Sequence, residues 1–178
     1  RLGTKLENLR NANNKILKNA YENQLSANKI HRCCLSVHDA KTIGELFMTI
    51  FDKFPVFLKI TSLKLVLDKT VKIDGDIENI IYASQEELLN FSKFVGLTQS
   101  KFVILRENLG YEQRVSLGLS SYEDNVESEA ILSINIKNKV KGFIFLESTE
   151  KKTFSIDQAT DYLEFLGKII SKQIERFL

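Results

Sequence analysis

The 178-residue chain has no tryptophan, one proline, one methionine, two cysteines, two histidines and eight glycines. Each scarcity excludes something. So little proline and glycine rules out collagen-like and Pro/Gly-rich low-complexity architectures. Cys33 and Cys34 are neighbours, cannot easily bridge each other within an ordinary helix, and make no disulfide framework. A reducing compartment follows, and a cytoplasmic location is expected. No apolar run approaches the roughly 18 residues of a membrane span, the longest being pieces such as "GFIFL". No secretory pattern is visible, although the chain begins at Arg1 rather than methionine, so a preceding segment is expected. There is no glycine-rich phosphate loop: "LGYEQRVSLGL" has its glycines eight apart, with no strand-to-helix switch around them.

What is present is an ordinary globular composition, 43% hydrophobic and 27% charged, in a length suited to one core plus an appendage. The formal net charge of +2 is uneven, with +5 on residues 1–38 and −3 on the remainder. The basic arm has only Tyr21 interleaved among its cations. Base stacking is therefore not indicated, and nucleic acid is not an expected partner.

Residues 1–38 contain no proline. Leu2, Leu6, Leu9, Asn13, Ile16, Ala20, Asn23, Ala27, Ile30, Cys34 and Val37 recur at alternating spacings of four and three. That is a coiled-coil seam over about five heptads, with Asn13 and Asn23 as the polar positions that set register and favour two strands. A lone helix with so narrow a stripe is marginal in water, so a second copy of the chain is the expected partner. Residues 1–38 thus read as a dimerisation helix and residues 39–178 as the globular domain.

In that domain the spacing predicts a helix over Ile43–Phe54, ended by Pro55. "VFLKITSLKLVLD" reads as a strand, irregular near Thr61 and Ser62, and "TVKIDGD" as a second strand. "SQEELLNFSKF" is a helix with Ser84 and Glu87 as its capping box. "KFVILRE" is a strand, residues 108–127 a loop, and "SEAILSINIKNKVKGFIFLES" a hairpin turning around Lys137–Lys139. A last helix runs from about Ile156 to Phe177, with Ser155 as N-cap and Gln158 at the capping-box position. The fold class is α+β, an antiparallel sheet flanked by helices.

This helix–sheet–helix order resembles that of GAF domains. More specifically, the chain resembles a bacterial GAF-like family catalogued as domain of unknown function four hundred and eighty-four. "VESEAILSI" with "KGFIFLES", Phe154 before the last helix, and Thr160, Asp161, Leu163 and Leu166 within it carry the resemblance. So does the leading helix, with Ala20, Glu22 and Asn23 in an "A-x-E-N" segment. Ile156–Gln158 depart from the proline and glycine that the family tends to carry there. The resemblance implies a GAF-like fold and a homodimer, and no reaction or cofactor.

Two stretches invite chemistry. In "HRCCLSVH", His31, Cys34 and His38 fall at i, i+3 and i+7, one side of a helix, and could bring three ligands to a zinc ion that usually takes four. Cys34 occupies a seam position, and His31, His38 and Cys33 flank it as half-exposed edge residues, so a dimer seam is the better reading and no metal site is assigned. Asn138, Lys139 and Phe143 echo part of a cyclic-nucleotide signature, but the Asp-Glu pair that should follow is missing. A GAF-like fold implies a pocket between sheet and loop, where Arg106, Tyr111, Arg114 and Ser128 are the polar candidates to orient a ligand. The expected function is a non-catalytic sensory or regulatory module that dimerises through its leading helix, with an unidentified small molecule and protein partner. The alternative is a ligand-free interaction scaffold. An enzyme would have to work with carboxylates and lysine alone, and is not expected.

Overall fold

The computed structural model describes residues 1–75, 77–107, 116–119, 125–154 and 160–178, without the side chains of residues 19 and 21–23. Its elements are α1 (Leu2–Asp39), α2 (Ile43–Leu58), β1 (Ser62–Asp68), β2 (Ile80–Ala83), α3 (Gln85–Val95), β3 (Val103–Glu107), β4 (Ser128–Ile136), β5 (Lys139–Ser148) and α4 (Asp161–Phe177). None of the described helices is long and apolar enough to cross a membrane.

The five strands form one sheet in the order β2-β1-β5-β4-β3. It is mixed rather than wholly antiparallel, because β2 pairs parallel to β1 while the other neighbours are antiparallel. The described part of "TVKIDGD", residues 70–75, is not a strand. Its Val71 and Ile73 anchor a loop in the core under the helices, and Asp74 Oδ1 accepts the Gly44 N–H at the start of α2 at 3.0 Å. That loop carries the chain across the sheet face and brings β2 back in the same direction as β1.

α2 does not stop before Pro55 but includes it in its last turn. Proline costs a helix the N–H bond to residue i−4, a cost reduced near a C-terminus where the closing bonds lie beyond it. Lys59, left-handed at φ 52°, donates to Val56 O, and Ile60 N–H closes on Pro55 O at 3.1 Å. The turn at residues 59–61 therefore replaces the strand irregularity expected near Thr61. α3 has the expected box: Glu87 N–H donates to Ser84 Oγ at 3.2 Å and Ser84 N–H to Glu87 Oε1 at 3.3 Å. The hairpin turns at Lys137 and Asn138, both with positive φ, as a two-residue primed turn requires. α4 is present from Asp161; the expected caps Ser155 and Gln158 lie outside the described residues.

Strand alternation gives the sheet two faces. Leu65, Leu67, Ala130, Leu132, Ile134, Ile144 and Leu146 pack beneath α2 and α4, which α1 covers in turn through Ile30, Cys33 and Val37. On the other face Val66, Ile131, Phe143 and Phe145 meet Leu88 and Phe91 of α3.

Candidate functional site

Three features of this frame bear on function, and the first is a row of buried charge on the α3 face. The register sets Ser62 beside Glu147, Glu147 beside Glu129, and Glu129 beside Arg106. Glu129 and Glu147 are fully buried and directly opposite each other. Like charges so placed repel, and burying each ion costs several kcal/mol of hydration unless it is paired. The pairing comes from both sides. Lys64 Nζ lies 3.2 Å from Glu147 Oε1, which also accepts the Ser62 hydroxyl at 2.9 Å, and Arg106 Nη1 lies 3.6 Å from Glu129 Oε1. The row is Lys64–Glu147–Glu129–Arg106, with donors outside and acceptors inside.

Of the polar candidates read from the sequence, the structure places Arg106 in this row. Ser128 belongs to the opposite strand phase and does not face it. Its Oγ donates to the Glu150 carbonyl, fastening the start of β4 to the turn after β5. Tyr111 and Arg114 lie outside the described residues. Glu129, Glu147 and Lys64 were not singled out in the sequence, although an acid inside each of two apolar strands is a visible signal.

The second feature is α1. Leu2, Leu6, Leu9 and Ile16 are 62–80% exposed along one stripe, with Asn13 and Ala20 exposed between them. The side chain of Asn23 is outside the described set, and Ala27 is half-buried. From Ile30 onward the seam expectation needs correction. Ile30 and Val37 are buried against the chain's own α2 and α4, and Cys34 packs partly against the same core. Cys33, expected at a half-exposed edge, is fully buried because the body docks on that flank of the helix. Burial, with the Cys34 thiol beside it, pushes the Cys33 thiol up to about 12. Burial raises Cys34 as well. His31 and His38 point outward, and no three potential ligands converge on a metal site among the described residues.

The third feature is a groove between α3 and the hairpin tip, at the far end of the α3 face from the charge row. The middle of that face is closed by protein: the Phe91 ring packs tilted against Phe143 at 5.0 Å and Phe145 at 5.6 Å, centroid to centroid. Asp68 lies at the base of the groove. Burial pushes its carboxyl up, but the Thr70 N–H and hydroxyl, at 2.8 and 2.7 Å, and the nearby Lys141 outweigh this and hold it below the usual carboxylate value.

Comparison with known proteins gives two findings. The model of the family described as "Protein of unknown function, DUF484" matches residues 1–178. Among solved structures, the chain is similar to the chromophore-binding domain of an unusual bacteriophytochrome from R. palustris. The TM-score is 0.52 at 11% identity, over 84% of this chain and 61% of that one. This likeness agrees with the GAF-like fold expected from the sequence. The chain spans about three-fifths of the length of that structure. No curated protein matches the sequence.

Proposed function

We propose that this chain, which belongs to the DUF484 family and has a GAF-like fold, is a non-catalytic regulatory module that dimerises through the N-terminal two-thirds of α1. One observation carries the reading: the apolar stripe from Leu2 to Ile16 is exposed on a helix whose other end is built into the core. Burying four such side chains from each of two copies is worth about 12–24 kcal/mol gross. Lost rotational and translational freedom costs about 4–15 kcal/mol, so a second copy is a sufficient partner. Asn13 within the stripe favours two strands in one register. The partner helix runs along the stripe as far as about Ala27, where the body occupies the seam.

Because one continuous helix joins the seam to the core, a change in how α2 and α4 hold Ile30, Cys33 and Val37 alters the packing of the dimer. That is the regulatory element of the proposal: two packings of the seam, biased from the body. A fold shared with a chromophore-binding domain supports a body that receives a ligand.

Sedimentation equilibrium tests the dimer. The expected result is twice the chain mass for the wild type at tens of micromolar, and a monomer for Leu6→Glu/Ile16→Glu whose helix content falls by no more than the unpartnered part of α1. A monomeric wild type overturns the reading. The second reading, a ligand-free scaffold, draws support from the aromatic side chains that fill the middle of the α3 face.

A further inference from the structure

We infer that the groove between α3 and the hairpin tip is a binding site for a small organic anion, an apolar body carrying a carboxylate, sulfonate or phosphate. Its volume of about 840 Å³ is that of a small-molecule site. Leu89 and Leu97 on one side and Val140 on the other give it apolar walls.

Charge sets the class of ligand. Among the described residues, four lysines and one carboxylate line the groove. The carboxylate, Asp68, is already engaged by Thr70 and by Lys141 at 3.7 Å. The Gln85 amide, oriented with its nitrogen towards the surrounding acceptors, adds a bond to Asp68 Oδ2 at 2.7 Å. Lys141 is thereby neutralised. Lys69, Lys93 and Lys139 are exposed, and none is ion-paired among the described residues. Among the described residues an anion entering the groove meets three ammonium groups without an ion-pair partner and no free carboxylate, an arrangement that favours an anion over a cation.

A second, independent observation points to a ligand. Ser92, on the α3 wall, is 9% exposed, and its hydroxyl is shut off from solvent without a hydrogen-bond partner among the described residues. A buried orphan hydroxyl costs about 1–3 kcal/mol and is uncommon in native proteins. A turn about χ1 presents it to the groove, where an anionic oxygen accepts its proton. Among the described residues the lining contains no aromatic side chain, and a compact anion suits it better than stacked bases.

The inference adds an input site to the regulatory reading but does not depend on the α1 dimer. It is tested by fluorescence titration of the full chain with 8-anilinonaphthalene-1-sulfonate, an apolar anion, and with neutral N-phenyl-1-naphthylamine. The expected result is saturable one-to-one sulfonate binding, weakened about tenfold or more in Lys93→Gln/Lys139→Gln, with the neutral dye changed less than about twofold. Leu89→Arg, which crowds the half-exposed wall, abolishes both signals. Leu6→Glu/Ile16→Glu leaves both intact, because the dyes are not bound to the α1 stripe. Circular dichroism confirms that each variant is folded. Unsaturable binding, wild-type sulfonate affinity in the lysine variant, equal loss of both dyes in it, or loss on changing α1 each overturns the inference. Sedimentation of the same samples reports on the dimer separately, so either proposal can fail alone.

Discussion

Glu129 and Glu147 stand side by side on adjacent antiparallel strands, both fully buried, with Arg106 beyond one and Lys64 beyond the other. Each carboxylate has one of these cations as an ion-pair partner, Arg106 for Glu129 and Lys64 for Glu147. Arg106→Leu leaves Glu129 without that partner, and the expected destabilisation is about 3–5 kcal/mol. Arg106→Leu/Glu129→Leu recovers most of it, because an apolar pair needs no hydration replaced. Urea unfolding of the two variants checks this. A double variant as unstable as the single one would show that the row is not an ion-pair system.

Asp68 gives a pH dependence with a definite sign. Its folded carboxyl titrates below the usual value, so the stabilisation is present above about pH 4, the unfolded value, and is lost as the pH falls through the folded one. Asp68→Asn is expected to cost about 2 kcal/mol at pH 7 and progressively less below pH 4. Urea midpoints at pH 7 and in acid measure the difference. A cost that does not change with pH would refute the assignment.

The two neighbouring thiols differ in access. Cys33 is fully buried and held up to about 12, whereas Cys34 is half-buried. Alkylation of the native protein, followed by peptide mass spectrometry, is expected to modify Cys34 before Cys33. Cys33→Ser buries a hydroxyl in an apolar setting at a cost of about 1–3 kcal/mol. The raised Cys33 value also means that stability is complete below the unfolded thiol value of about 8.5 and declines as the pH rises from there towards the folded one.

At Gly142, paired with Leu67, β5 leaves no room for a side chain against β1. A Cβ there would collide with the Val66 carbonyl and meet the Leu67 backbone at 3.3 Å. Neither contact can yield without moving the β1–β5 pairing. Gly142→Ala is expected to cost about 3 kcal/mol, at the upper end of overpacking effects, read from the thermal midpoint.

The sequence displayed the features governed by local chemistry. The Ser84–Glu87 box, the Lys137–Asn138 turn and the apolar face of α4 are each written within a few residues, and each is in the structure. Features that depend on distant partners were not legible. β2 is four residues without clear alternation, and only parallel pairing with β1 makes it a strand. "TVKIDGD" alternates as a strand does, yet its apolar residues dock a loop on the core under α2. Ile30 and Val37 fit a dimer seam, and Cys33 its edge, until the body is seen to occupy that flank. The charge row was hidden by a bulge. At the hairpin tip Asn135 pairs with Val140, but from Ile134, opposite Gly142, the register shifts by one residue. Without that shift Glu129 would face Leu146 instead of Glu147. Arg106 was read as a residue to orient a ligand, whereas the structure pairs it with Glu129 in a row that depends on an irregularity no motif announces.

α1 passes without interruption from a core anchored at Ile30, Cys33 and Val37 to the exposed residues around Leu2. At about 1.5 Å per residue, the 28 residues beyond Ile30 make a lever of about 42 Å. A rotation of about 5° at the Ile30 fulcrum, which repacks side chains by fractions of an ångström, swings the tip by nearly 4 Å. That displacement approaches the rise of a full helical turn, so a small adjustment inside the body reaches the far end as a change of a size another protein can read.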